Sequence, residues 1–139
     1  MRRIYLMISV IAAVLTSACH RSGTWNDDPK NWQRAFDERT PTNITVVHSR
    51  YWRSAHWTME YAYFFEATGG VRSELLSDTN LVRLDANAQM RFFDPKPEWF
   101  APKPVNEYEV YGYTNDPPSR FRLLLDKKDG RAFFTDFQL

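Results

Sequence analysis

One ten-residue stretch concentrates the side chains that could do chemistry: His48-Ser49-Arg50-Tyr51-Trp52-Arg53-Ser54-Ala55-His56-Trp57. Its two histidines would suit a metal if a hairpin brought them together. A structural or catalytic metal needs at least a third ligand, and no His-x-His or His-Glu-x-x-His pattern supplies one. Ser49 near a histidine suits acyl transfer, but it lies in no Gly-x-Ser-x-Gly elbow. Glu60 and Glu66, on one extended segment, stand about 20 Å apart, too far for a glycosidase pair. The stretch is richer in recognition chemistry. Trp, Tyr and Arg combine large contact area with directed polar groups and dominate binding hot spots. Tyr51, Trp52, Arg53 and His56 are therefore the candidate partner-binding residues. The plainer alternative is that Trp52 and Trp57 pack inward and the arginines are solvated. No residue is assigned a catalytic role, and no metal or cofactor is implied.

The single cysteine, Cys19, closes a short apolar segment: Met1-Arg2-Arg3, the apolar run Ile4 to Leu15, then Thr16-Ser17-Ala18-Cys19. A charged start, an apolar run and small residues form the order of an export signal. Leu15-Thr16-Ser17-Ala18-Cys19 resembles the lipobox of bacterial lipoproteins, with Thr16 where Leu usually stands and Leu15 one residue further out. The resemblance implies cleavage before Cys19 and lipidation, with palmitate, of its thiol. It also implies a membrane partnership through that lipid. His20, where Asp commonly marks inner-membrane retention, implies the periplasmic face of the outer membrane. Two other fates fit the same segment. One is an ordinary secretory cleavage near Ser17-Ala18. The other is a membrane anchor, for which twelve apolar residues fall short of the roughly twenty that span a bilayer.

Loss of residues 1–18 leaves 121 of the 139 residues, one domain's worth. Arg2 and Arg3 leave with it, so 16 basic side chains face 17 acidic ones. That balance gives no support to nucleic-acid binding. With no second cysteine there is no internal disulfide, and the fold must rest on its core. The core is aromatic: all five Trp, all ten Phe and six of the seven Tyr follow Cys19.

The organisation expected is a signal over 1–18, the lipidated residue and a short tether over 19–27, and one globular domain over 28–139. Asp27-Asp28-Pro29 starts a helix, with a carboxylate cap and Pro at the first turn, and Trp32, Ala35 and Phe36 form its apolar side up to about Glu38. Ile44 to Trp52 reads as a strand. Trp57 to Ala67 alternates with period two, placing Tyr61, Tyr63 and Phe65 on one face and Ala62, Phe64 and Glu66 on the other. The two strands turn around Arg53-Ser54-Ala55. Val71 to Ser77 forms a second helix, and Leu81 to Leu84 a short extended piece. Four prolines between Asp94 and Pro104 exclude long regular structure around Trp99 and Phe100. Tyr108 to Tyr113 is a strand, Asn115-Asp116-Pro117-Pro118 a turn, and Phe121 to Asp126 with Arg131 to Phe137 a hairpin turning at Gly130. The fold class is α+β, a single antiparallel sheet of about five strands. Two short helices and the proline segment pack on one face.

The function expected is that of a membrane-anchored envelope lipoprotein that binds a protein partner without catalysis, in the manner of an assembly factor, inhibitor or immunity-type protein. The alternative is an envelope carbohydrate-binding protein or small hydrolase, using the same aromatic residues around a cleft.

Overall fold

The computed structural model describes residues 22–56, 60–78, 80–85, 90–113 and 120–139. Strand β3 (Tyr61–Gly69) lies between β2 (Ile44–Arg53) and β7 (Ala132–Gln138), the middle strand of the sheet. Outward on one side lies β1 (Gly23–Asn26). On the other lie β6 (Arg122–Asp126), β5 (Tyr108–Tyr113) and β4 (Leu81–Arg83). The sheet has seven strands in the order β1-β2-β3-β7-β6-β5-β4, with every neighbouring pair antiparallel. Two consecutive meanders thus meet where the last strand pairs with the third.

The class expected from sequence holds, while the count of about five is corrected to seven. The two extra strands are the short edges. Residues 23–26, expected in the tether, pair with β2 from Gly23↔Arg53 to Asn26↔Arg50. Residues 81–83 pair with β5.

Helices α1 (Asn31–Phe36) and α2 (Val71–Leu75) cover one face. Asp28 accepts from the Lys30 amide at 2.8 Å and from Arg34 at 3.0 Å, tying down the entry to α1. These donors hold its carboxyl below the usual value, the Lys30 amide first and Arg34 second. The helix ends earlier than expected, at Asp37 in the left-handed region (φ 56°), whose amide donates to Gln33 O. Trp32 and Phe36 then meet Phe65 and Phe134, two rings stacked at 5.1 Å between centroids. Val71, at the start of α2, is buried in the same cluster.

The opposite face is covered without α-helices, apart from one 3-10 turn at Val105–Glu107. Phe100 is fully buried and sits edge-on to Phe64 (5.0 Å) and Phe133 (5.8 Å). Phe92, Phe93, Trp99, Ala101 and Val105 pack around it. The proline segment therefore lies across the sheet from the helices, not beside them. It can, because β3 presents apolar side chains both ways: Phe65 is 0% and Phe64 1% exposed. Glu66, expected on a mixed face, is buried and reaches Arg131 at 2.9 Å.

Gly69 and Gly130 both need their positive φ (88° and 71°). A Cβ on Gly69 would come within 2.3 Å of Asn43 O, so no other residue fits there without moving the chain. Gly130 closes the β6–β7 turn as the sequence predicts.

Candidate functional site

The chemistry of the site is set by one extra residue in β2. Val46 pairs with Ala67 and His48 with Glu66, leaving Val47 as a bulge that is 44% exposed. Side chains alternate along a strand, so the bulge shifts the alternation by one. Ile44 and Val46 face the helices, and beyond the bulge so do Ser49 and Tyr51. His48, Arg50 and Trp52 face the proline segment instead.

Tyr51 is consequently core: 6% exposed, its ring 6.1 Å from Trp25. Burial raises its phenol above the ordinary value, against the opposing charges of Arg53 and Arg34. It offers no surface to a partner, which corrects the expectation. Trp52 and Arg53 do not sit on a turn either, since β2 continues through both, paired with Ala62 and Tyr61. Arg53 is partly exposed and His56 exposed. Trp57 lies outside the described residues, as does the Asn115 to Pro118 turn.

The proline segment runs along the three outward residues of β2 and engages each one. Trp52 stacks on Phe93 (centroids 4.9 Å, planes 27° apart). Arg50 donates from Nε to Asn26 Oδ1 at 2.9 Å and from Nη1 to Pro95 O at 3.4 Å. His48 stacks on Trp99 (5.4 Å, 28°). Much of the recognition chemistry is thus consumed inside the molecule. Trp52 and Trp99 each have one ring face against a neighbour.

A serine, a histidine and an aspartate do meet here, in an order that suits no nucleophile. Asp27 Oδ1 accepts from the Ser49 amide at 2.9 Å and contacts His48 Nδ1 at 3.3 Å. The Ser49 hydroxyl accepts from Asn31 Nδ2 at 3.0 Å, on the other side of the sheet from His48. A triad needs the imidazole between serine and acid, whereas here the acid bridges two neighbouring residues. Ser49, Asn31 and Asp27 clamp α1 to β2. His48 and His56 are not brought together with a third ligand, and no metal-binding group of three appears among the described residues.

What remains open is a groove of about 290 Å³, lined by Thr24, Arg50, Trp52, Phe64, Phe93 and Asp94, with Ala62 in its floor and Pro95 at its rim. Of the candidate partner-binding residues, Trp52 lines it. Arg50 belonged to the polar stretch but was not singled out. Thr24 and the Phe93-Asp94-Pro95 run come from segments whose sequence carries no site signal. A second hollow of about 300 Å³ lies on the helix side, between α1 and the bulge, with Asp27, Asp28 and Trp32 in its wall. No family model, curated protein or solved structure matches this chain, so its geometry carries the functional reading.

Proposed function

We propose that the chain is an envelope lipoprotein, anchored through Cys19, whose sheet binds a protein partner without catalysis. The observation that carries this reading is the groove beside β1. It joins a half-buried tryptophan, an arginine and an exposed carboxylate, Asp94, beside the strand that follows Cys19 in sequence. Three residues, His20 to Ser22, separate Cys19 from Gly23, four steps along the chain and a reach of at most about 14 Å. A lipid on Cys19 would hold this edge of the sheet close to the bilayer, within reach of proteins seated there. No helix among the described residues is long and apolar enough to cross a membrane, so the anchor proposed is the lipid.

One cross-linking experiment tests both halves of the reading. With a photoreactive residue at Thr24, the wild-type protein should carry an acyl label and give a discrete protein adduct in intact cells. Cys19→Ala should lose the label, leave the detergent phase and give less of that adduct. A wild type without acyl label removes the anchor. Absence of any protein adduct from Thr24, Arg53 or Asp94 removes the partner.

A further inference from the structure

We propose that the groove recognises an acidic side chain with a large apolar neighbour on the partner protein, with Arg50 as its counter-charge. The inference rests on the protein-binding reading above and specifies its chemistry.

Arg50 is half-buried and lines the groove, yet no carboxylate among the described residues pairs with it. Its fixed partners are neutral: the Asn26 side-chain oxygen and the Pro95 carbonyl. Lys96 and Lys127 likewise meet carbonyls, of Phe100 and Asn106, but neither lines the groove. Five other cations, Arg34, Arg72, Arg83, Lys103 and Arg131, each have an acid within 4 Å. A guanidinium has five N–H groups in a planar fork, and Arg50 uses two of them. The remaining donors are held in place by the very bonds that occupy the first two. Such a fork loses little side-chain freedom on meeting a carboxylate, and charge-assisted bonds of this type are the strong ones.

The walls decide what carries the carboxylate. Trp52, Phe93, Phe64 and Ala62 give apolar surface beside the guanidinium. About 290 Å³ accommodates one or two side chains, below the range usual for cofactors and drug-sized ligands. Asp94, exposed on the rim, repels a second negative charge. The combination selects one carboxylate with an apolar neighbour, and disfavours a polyanion.

The test is a selection of hexapeptides, displayed as loops with both ends tethered, on the immobilised full-length protein. Recovered loops should pair one Asp or Glu with a large apolar residue. Arg50→Gln should weaken their binding about tenfold or more, the loss of a charged hydrogen bond. Asp94→Asn should strengthen it, and Arg39→Gln, at an exposed position outside the groove, should change nothing. Opposite signs at Arg50 and Asp94 are not what a general loss of structure produces. Recovered loops without an acid, no recovered loops, or equal binding by Arg50→Gln would each overturn the proposal. If the Thr24 adduct still forms in cells while the loops fail, protein binding stands and the carboxylate assignment falls.

Discussion

The two faces of this sheet are equally dry and are covered by opposite means. On the helix face, Trp32, Ala35 and Phe36 arrive at helical spacing on a backbone that satisfies its own hydrogen bonds. On the other face, residues 90–107 bring Phe92, Phe100 and Val105 on an irregular backbone whose polar groups must be met singly. Lys96 donates to Phe100 O, the Lys103 amide to the Tyr108 hydroxyl, and the Phe100 amide to Pro97 O. The Lys103 ammonium is also paired with buried Asp126. Both covers leave a hollow, of about 300 Å³ beside α1 and about 290 Å³ where the irregular cover thins over β1 and β2. The difference lies in the lining: Asp27 and Asp28 beside Trp32 on the helix face, Arg50 and Asp94 beside Trp52 and Phe93 on the other.

The sharpest way to break the comparison is to truncate one ring on each face. Phe65→Ala and Phe64→Ala are adjacent and point oppositely, and each should cost about 4 kcal/mol in urea unfolding through lost burial and a cavity. A cost for Phe64→Ala below half that of Phe65→Ala would mean that the irregular cover collapses into the space and is softer than the helices.

A smaller effect tests what pins the cover. Lys103→Met leaves the Asp126 carboxylate buried with only the Lys128 and Asp129 amides to hold it, and should lower the urea midpoint by less than either ring truncation. Burial alone would raise the Asp126 pKa, but Lys103 and these amides outweigh it and hold it below the ordinary value. The stability it lends is therefore present at neutral pH and lost as pH falls through its depressed native value. The gap between wild type and Lys103→Met should close over that acid range. A gap constant down to pH 2 would show that the lysine acts by packing.

The smallest effect has the opposite sign. Asp136 lies on the helix face, and burial raises its pKa despite bonds from the Phe137 amide and the Tyr61 hydroxyl. Its neutral form suits the fold, so its contribution is fully present in acid and lost as pH rises through the raised value. Asp136→Asn should lift Tm at pH 7 by on the order of 1–2 °C and leave it unchanged at pH 3. Burial first, and the same pairing second, push the Tyr61 phenol up to about 12. A lower Tm at pH 7 would show that the carboxylate is used in its charged form.

These contrasts also explain what the chain disclosed in advance. The helix face was legible: the apolar stripes of both helices, the alternation of β3 and the turn at Gly130 are local patterns with local causes. The prolines of 94–104 excluded regular structure but carried nothing about which side of the sheet they cover, a choice made by Phe64 and Phe133 at long range. Glu66 could be placed only on a mixed face, because its partner, Arg131, is 65 residues away. Gly23–Asn26 is too short to show a period, and its pairing is fixed by β2. The site was half legible. Its residue types announced recognition, but the bulge at Val47 has no signature in side-chain type, and it is what sends Tyr51 inward and turns Arg50 and Trp52 to the groove.

The place of β7 bears on how the molecule is made. It is the last strand in sequence and the middle strand in space, paired with β3 and β6 at once. A chain emerging from its N-terminus completes β1-β2-β3 and then β4-β5-β6 as separate meanders, each with a bare edge of Phe- and Leu-rich backbone. Neither half has a closed core until Ala132–Gln138 arrives between them. Until β7 is in place the facing edges of β3 and β6 stay unpaired, and such edges can pair between chains as readily as within one.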